Sequence, residues 1–342
     1  NSIARVDVYK GVVPIDVGSD ALGGGVNVVT AQRSINELQA SYSFGSFNTH
    51  QAAVAGNYEL SEGVSVGANV TYAYSDNNYA MEAFVFEDNE RQEITRFHDA
   101  YRLTFGSIYF DVRAKKWADR FRFTANANEF YKELQNGGII GNLPFGGTFY
   151  DGGGTAFSAL YEKKLGKKLT LTTNAAYSRT NILFVDTTAN VYSWSGEVLT
   201  RRPNSPGELG RNSLSDRDFD NVANRFTLRW ALSPRDEILF SNLVAHQSTI
   251  GRDSERPLER DPLTKEQTLL KDVVGLQYER KVGDKLTLSA AGKLYYYDLA
   301  GVDPNALTDV GTSGTEYGYY GTAKYDFNDR FFVRASYENA LR

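Results

Sequence analysis

Cysteine is absent from this chain of 342 residues, methionine occurs once and histidine three times. Without thiols there is no disulfide and no thiolate metal site. No stretch of about 18 apolar residues occurs, which excludes helical membrane spans. It leaves a β-barrel open, because barrel strands turn only alternate residues to lipid. A strong charge of either sign is missing too: 37 Lys+Arg stand against 42 Asp+Glu, a net −5, which gives no support to a nucleic-acid partner. What is abundant is Tyr (22), Phe (20) and Gly (31), the composition of strands and turns.

Alternation is the strongest pattern. Val64, Val66, Ala68, Val70, Tyr72 and Tyr74 interleave with Ser65, Gly67, Asn69 and Thr71. Val222, Phe226, Leu228 and Trp230 interleave with Arg225, Thr227 and Arg229, and the same rhythm recurs over 169–178, 317–327 and 331–337. Successive strand side chains point to opposite faces, so each segment has an apolar and a polar face. Arg122, Arg225, Arg229, Lys324 and Arg334 fall on the face opposite the aromatics. A charge turned to lipid costs about 2–4 kcal/mol at the bilayer midplane, so these side chains are expected to face a lumen.

The connections alternate in length. Tight turns are expected near residues 60–63, 115–117, 165–168, 233–236, 282–285 and 327–329. Longer stretches rich in Gly, Asn and Pro are expected over about 76–97, 133–154, 181–218, 251–267 and 298–315. Only the link near Gly45-Ser46-Phe47-Asn48 is short where a long one is due. A sandwich has no reason to gather every long loop at one end, whereas an outer-membrane barrel does. About 13 strands are expected between Ile35 and Tyr337, many longer than the roughly 9–11 residues that cross the apolar layer. The first residue is not Met, no leader precedes it, and the chain stops at Ala340-Leu341-Arg342 straight after a strand-like run. We therefore expect part of a longer barrel, about 13 of the roughly 22 strands of plugged transporters.

The opening differs from the rest. It carries Arg5-Val6-Asp7-Val8, Lys10-Gly11, Pro14, Gly18 and then Ala21-Leu22-Gly23-Gly24-Gly25-Val26-Asn27-Val28-Val29-Thr30. This resembles the end of the plug domain of TonB-dependent outer-membrane receptors. Val17 stands where the family often has Tyr. The resemblance implies residues 1–30 as the C-terminal part of a plug and 31–342 as the N-terminal portion of a transmembrane antiparallel β-barrel. It implies active import of a scarce small cargo such as a siderophore, haem or cobalamin. The partners would be outer-membrane lipid, the TonB energy-coupling protein (through a segment outside this chain) and the cargo itself. Gly-Gly-Gly-Val-Asn-Val-Val-Thr departs from the usual plug ending of glycan importers, so a glycan or peptide importer with a surface lipoprotein is the alternative within the superfamily. A passive porin is the alternative outside it. Gly18, Gly23, Gly24 and Gly25 are expected in a tight turn between two plug strands. They are not a phosphate cradle, since the Lys-Ser/Thr of a P-loop and a helix-opening G-x-G-x-x-G are both missing.

Catalytic chemistry finds no footing, and no enzyme is expected. H-E-x-x-H and G-x-S-x-G do not occur. His50, His98 and His246 are far apart with no second ligand at metal spacing, so solvated imidazoles and no bound metal or other cofactor are expected. Glu87-Asp88 and the alternating Asp216, Asp218 and Asp220 are expected in solvated external loops. Lys163-Lys164 and Lys167-Lys168 bracket a tight turn. The candidates for cargo contact are loop aromatics: Phe145, Phe149 and Tyr150 in a Gly-rich loop, Tyr192 and Trp194 in the longest one.

Overall fold

A computed structural model describes residues 3–18, 21, 23–30, 36–85, 88–137, 143–204, 207–328 and 330–339. Asp20, Leu22, Ile35, Glu87, Asp329 and Ala340–Arg342, on which some of the expectations above fall, lie outside the described residues. The chain opens with β1 (Ile3–Lys10), a one-turn helix α1 (Ile15–Gly18) and β2 (Gly24–Thr30). β1 and β2 pair antiparallel, Lys10 opposite Gly24 and Val6 opposite Val28. The glycine cluster therefore starts a strand instead of forming a tight turn, and the link between the two strands holds α1. Gly24 has φ +149°, and a Cβ there would lie 2.6 Å from the Tyr9 carbonyl oxygen, so close backbone approach is what this glycine allows. Gly18 and Gly25 make room for the Val13 side chain, while Gly23 accepts a bond from Gly11 N–H.

The rest is strand. In chain order come β3 (Glu37–Gly45), β4 (Thr49–Ser61), β5 (Val64–Ser75), β6 (Ala80–Val85), β7 (Glu90–Thr95), β8 (Tyr101–Arg113), β9 (Arg120–Glu133) and β10 (Phe149–Leu165). They are followed by β11 (Leu169–Asp186), β12 (Asn190–Tyr192), β13 (Val198–Arg201), β14 (Ser213–Ala231) and β15 (Asp236–Asp253). β16 (Gln267–Val282), β17 (Leu286–Val302), β18 (Asp309–Asn328) and β19 (Phe331–Asn339) complete the order. Thirteen strands form one antiparallel sheet in which each pairs with its neighbour in sequence, from β3 at one edge to β19 at the other. β6–β7 and β12–β13 are separate hairpins inserted between sheet strands. The count agrees with the period-two reading, and the short turns fall where expected.

Four of the five long connections are shorter than the sequence led us to expect, because the strands run on past the alternating apolar stretch; the first, 76–100, instead holds the β6–β7 hairpin. β11 extends to Asp186 and β14 starts at Ser213, so Asp216, Asp218 and Asp220 are strand residues rather than loop residues. They meet Asn181, Arg179 and Tyr177 across the β11–β14 ladder, with Arg179 Nη2 2.9 Å from Asp218 and Tyr177 Oη donating to Asp220 at 2.6 Å. Cross-strand pairs of this kind replace the water a loop would use. Likewise β17 and β18 run to Val302 and from Asp309, leaving six residues where a long loop was expected.

The register fixes two faces. Arg229, Leu239, Gln277, Ala291 and Tyr320 lie directly opposite one another from β14 to β18 and share one face. α1 sits on this row: Ile15, fully buried, packs with Val12, Leu239, Ala291 and Tyr320. Asp16 pairs with Arg229 at 2.6 Å, and Arg225 Nη1 donates to the Val17 carbonyl at 2.6 Å. Arg122, also on this face, stacks on Tyr109 with its guanidinium 3.9 Å from the ring centre. One residue along, the pattern inverts. Trp230, Ile238 and Tyr278 pair across the opposite face, and Val70 (55%), Ile108 (59%) and Leu276 (57%) are exposed there. An apolar face without protein cover is the inverse of a soluble core. At the short-turn end, Lys115, Lys163 and Lys168 donate to carbonyls of the neighbouring turns, at 2.9, 2.7 and 2.9 Å. They tie turn to turn.

Gly275 completes the seat of α1, since a Cβ there would stand 3.3–3.4 Å from three atoms of the Ile15 side chain. Overpacking costs about 1–3 kcal/mol. Gly275→Leu is expected to lift α1 and speed tryptic cleavage at Arg5 and Lys10. Gly292→Leu is the control, because it has nothing within 4 Å of its Cβ position. Equal cleavage of the two variants would contradict the seat.

Candidate functional site

The strands that carry the long connections are also long, with 17 residues in β10, 18 in β11 and 19 in β14. At about 3.3 Å per residue they overshoot an apolar layer of about 25 Å even when tilted. Their far ends hold the connections 134–148 and 187–212, the latter with the β12–β13 hairpin, and beside them lies 76–100 with the β6–β7 hairpin, which joins β5 to β8.

Buried polar side chains stitch these three together. Gln135, fully buried, accepts from the N–H groups of Phe97 and His98 at 2.7 Å each and donates to the Phe145 carbonyl at 3.3 Å. Glu208 accepts from Gly146 N–H (2.6 Å), Gly147 N–H (3.0 Å) and the Thr148 hydroxyl (2.7 Å). Asp186, fully buried at the end of β11, accepts from Glu208 N–H (2.6 Å) and Leu209 N–H (2.9 Å). Arg96 bridges Asp99 and Asn136, each at 3.0 Å. A loop whose buried amides find fixed acceptors is preorganised instead of frayed. The fourth long connection, 254–266, is held by Asp261. Burial pushes its carboxyl up, but bonds from Asp253 N–H, Arg252 and Leu263 N–H outweigh that and hold it below the usual carboxylate range.

The candidate aromatics separate. Phe149 and Tyr150 belong to β10 and not to a loop, because the ladder continues to Val185 and Phe184 on β11. As successive strand residues they face opposite ways. Tyr150 lies on the α1 face against Phe184, with ring centres 4.8 Å apart, and Phe149 lies on the other face against Tyr131 at 5.3 Å. Tyr192 opposes Phe97 at 6.1 Å and covers Gly146, where a Cβ would come within 2.7 Å of its ring. Phe145 is held beside Gln135 by its own backbone. Trp194 is only 3% exposed and packs with Ala83 and Val85, with Met81 and Ile94 against them. It pins one hairpin to the other. His98 is not a solvated imidazole either: its Nε2 lies 2.9 Å from the Thr148 carbonyl and its Nδ1 3.6 Å from Glu133. The sequence signal for the stitching residues was weak, since isolated Gln, Glu and Thr in loops look the same whether buried or wet. Among the described residues, no group of three His, Cys, Asp or Glu side chains could hold a metal.

No family model and no curated protein matches this chain by sequence. Solved structures match by fold. The FrpB iron transporter from Neisseria meningitidis superposes over 99% of the chain, with TM-score 0.72 at 10% identity. The copper transporter OprC superposes over 98%, with TM-score 0.72 at 12% identity. The siderophore receptor PiuA from Acinetobacter baumannii superposes over 99%, with TM-score 0.67 at 12% identity. The fold is that of the TonB-dependent receptors of the bacterial outer membrane. The chain spans about half the length of these proteins: 52% of FrpB, 50% of OprC and 54% of PiuA.

Glu208→Ala leaves the amides of Gly146 and Gly147 without their acceptor. An unsatisfied buried group costs about 1–3 kcal/mol. Hydrogen exchange across 143–148 is expected to accelerate by an order of magnitude or more, with β10 and β11 unchanged. Unaltered exchange at 146–148 would contradict the stitching.

Proposed function

We propose that this chain is the plug end and the first part of the barrel of a TonB-dependent transporter, which imports a scarce small cargo across the outer membrane. Residues 1–30 are the plug portion and 31–342 the barrel portion. The observation that supports this best is α1 seated on the polar face of the sheet by Ile15, by the Asp16–Arg229 pair and by Arg225. An open porin has no use for a chain segment anchored across its lumen. In this reading the exposed apolar face meets lipid, the short turns face the periplasm, and the stitched loops face outward and receive cargo.

Tyr150 and Tyr192 are the proposed cargo contacts, with Phe145 beside them. An aromatic ring offers an apolar face for a siderophore-, haem- or cobalamin-like body. Phe149, on the lipid-side face, and Trp194, locked between hairpins, support the site instead of touching cargo. TonB would act on a plug segment outside this chain. The glycan-importer alternative would require a surface lipoprotein seated on the loops.

Cells expressing the whole protein are expected to take up one scarce iron complex or cofactor, and to lose that uptake when an uncoupler collapses the proton gradient. Tyr150→Ala with Tyr192→Ala is expected to weaken cargo binding about tenfold or more. Uptake that ignores the uncoupler would favour the porin reading and overturn this one.

A further inference from the structure

The short turns 114–119 and 163–168, which join β8 to β9 and β10 to β11, hold six lysines and one carboxylate, Asp119. They adjoin each other. Lys163 Nζ donates to the Lys116 carbonyl and Tyr161 Oη to the Trp117 carbonyl, both at 2.7 Å, and Asp119 is engaged by the Lys164 N–H. Lys115 and Lys168 donate to the carbonyls of Glu62 and Leu232, at 2.9 Å each, which fixes a cation without neutralising it. The ammonium groups of Lys116, Lys164 and Lys167, all exposed, have no hydrogen bond among the described residues. None of the six forms an ion pair among the described residues, whereas Lys132, Lys265, Lys293 and Lys324 each meet a carboxylate. Of the flanking carboxylates, Glu162 lies on the α1 face and Glu62 on the neighbouring turn. Positive charge is therefore gathered here without compensation.

A second observation on the same turns is independent of charge. Trp117 is 52% exposed and Leu165 48%. The Trp117 ring stacks on Tyr161, with centres 6.5 Å apart and planes within 15°, and lies 5.5 Å from Phe121. Phe121 and Tyr161 stand opposite each other in register, on the face away from α1. The indole is thus displayed at the rim where the uncovered apolar face ends and the lysines begin. An aromatic ring at such a rim suits the headgroup level of a bilayer, and a lysine cluster just beyond it suits anionic headgroups. A soluble acidic partner would match the charge but not the rim's continuity with the apolar face. We propose that these two turns bind an anionic phospholipid. Lys116, Lys164 and Lys167 gather round its phosphate, while Trp117 and Leu165 lie against the first carbons of its chains. The proposal rests on the reading that the uncovered face meets lipid, and it adds which headgroup binds and where.

The probes are phosphatidylglycerol and phosphatidylcholine with the same acyl chains, offered together to the whole protein in detergent and counted by native mass spectrometry. The anionic lipid is expected to be retained about tenfold or more over the zwitterionic one. Lys116→Gln with Lys164→Gln and Lys167→Gln removes no hydrogen bond of the fold and is expected to lower that preference about tenfold. Lys281→Gln with Lys285→Gln, on another short turn, is expected to leave it. Trp117→Ala is expected to weaken retention of phosphatidylglycerol, and glycerol 3-phosphate in large excess is expected not to displace it. Equal retention of the two lipids, a preference unchanged in the triple variant, an equal loss in the Lys281 and Lys285 control, retention indifferent to Trp117→Ala, or displacement by glycerol 3-phosphate would each overturn the proposal. Those outcomes concern the headgroup site alone. The membrane reading falls separately, if the whole protein stays monodisperse in water without detergent.

Discussion

The strand period of two, held in register over thirteen strands, is the constraint on which everything else depends. It places Trp230, Ile238 and Tyr278 on one face, and the next residues in each strand, Arg229, Leu239 and Gln277, on the other. A slip of one residue would exchange the faces. Arg229 would then meet lipid, at about 2–4 kcal/mol near the midplane, and Trp230 would meet Asp16. The backbone ladder satisfies each inner strand of the sheet through both its neighbours, which a membrane demands of any structure that crosses it.

From that division the remaining features follow. The polar face can hold a segment of chain because it offers both an apolar hollow and charge. Ile15 enters beside Gly275, and Arg225 and Arg229 grip the carbonyl of Val17 and the carboxylate of Asp16. The strands that rise beyond the apolar layer then act as posts for the external loops. Those loops are fastened to one another by Gln135, Glu208 and Asp186, so the surface proposed to receive cargo is formed in advance. Preorganisation of this kind spares the ordering cost of binding.

Much of this was legible in the sequence. Strand number, the short turns and the sidedness of Arg225 and Arg229 follow from alternation, which is a property of the backbone and needs no tertiary knowledge. The limits of the strands were not legible. Asp216, Asp218 and Asp220 look like loop residues until Asn181, Arg179 and Tyr177 reach them from the neighbouring strand. Tyr150 and Phe149 lay hidden in the same way, since a glycine-rich start does not mark a strand. α1 was missed although Pro14 before Ile15-Asp16 is a helix-opening signal, because one turn leaves no periodicity to read. Trp194 and His98 drew their roles from partners on other connections and strands, distant in the chain. Phe145 is held by Gln135 in the same connection, a contact no spacing rule announces.

The division of faces is open to direct measurement. The chain has no cysteine of its own, so single cysteines at Val70 and Leu228 can carry spin labels in membrane-embedded protein. Both sites lie on the face opposite α1, and labels there are expected to relax with oxygen dissolved in the bilayer and to ignore a water-soluble nickel chelate. Labels at Thr71 and Thr227, one residue along, are expected to do the reverse. Chelate access at Val70 and Leu228 would show that these side chains face water and would contradict the account.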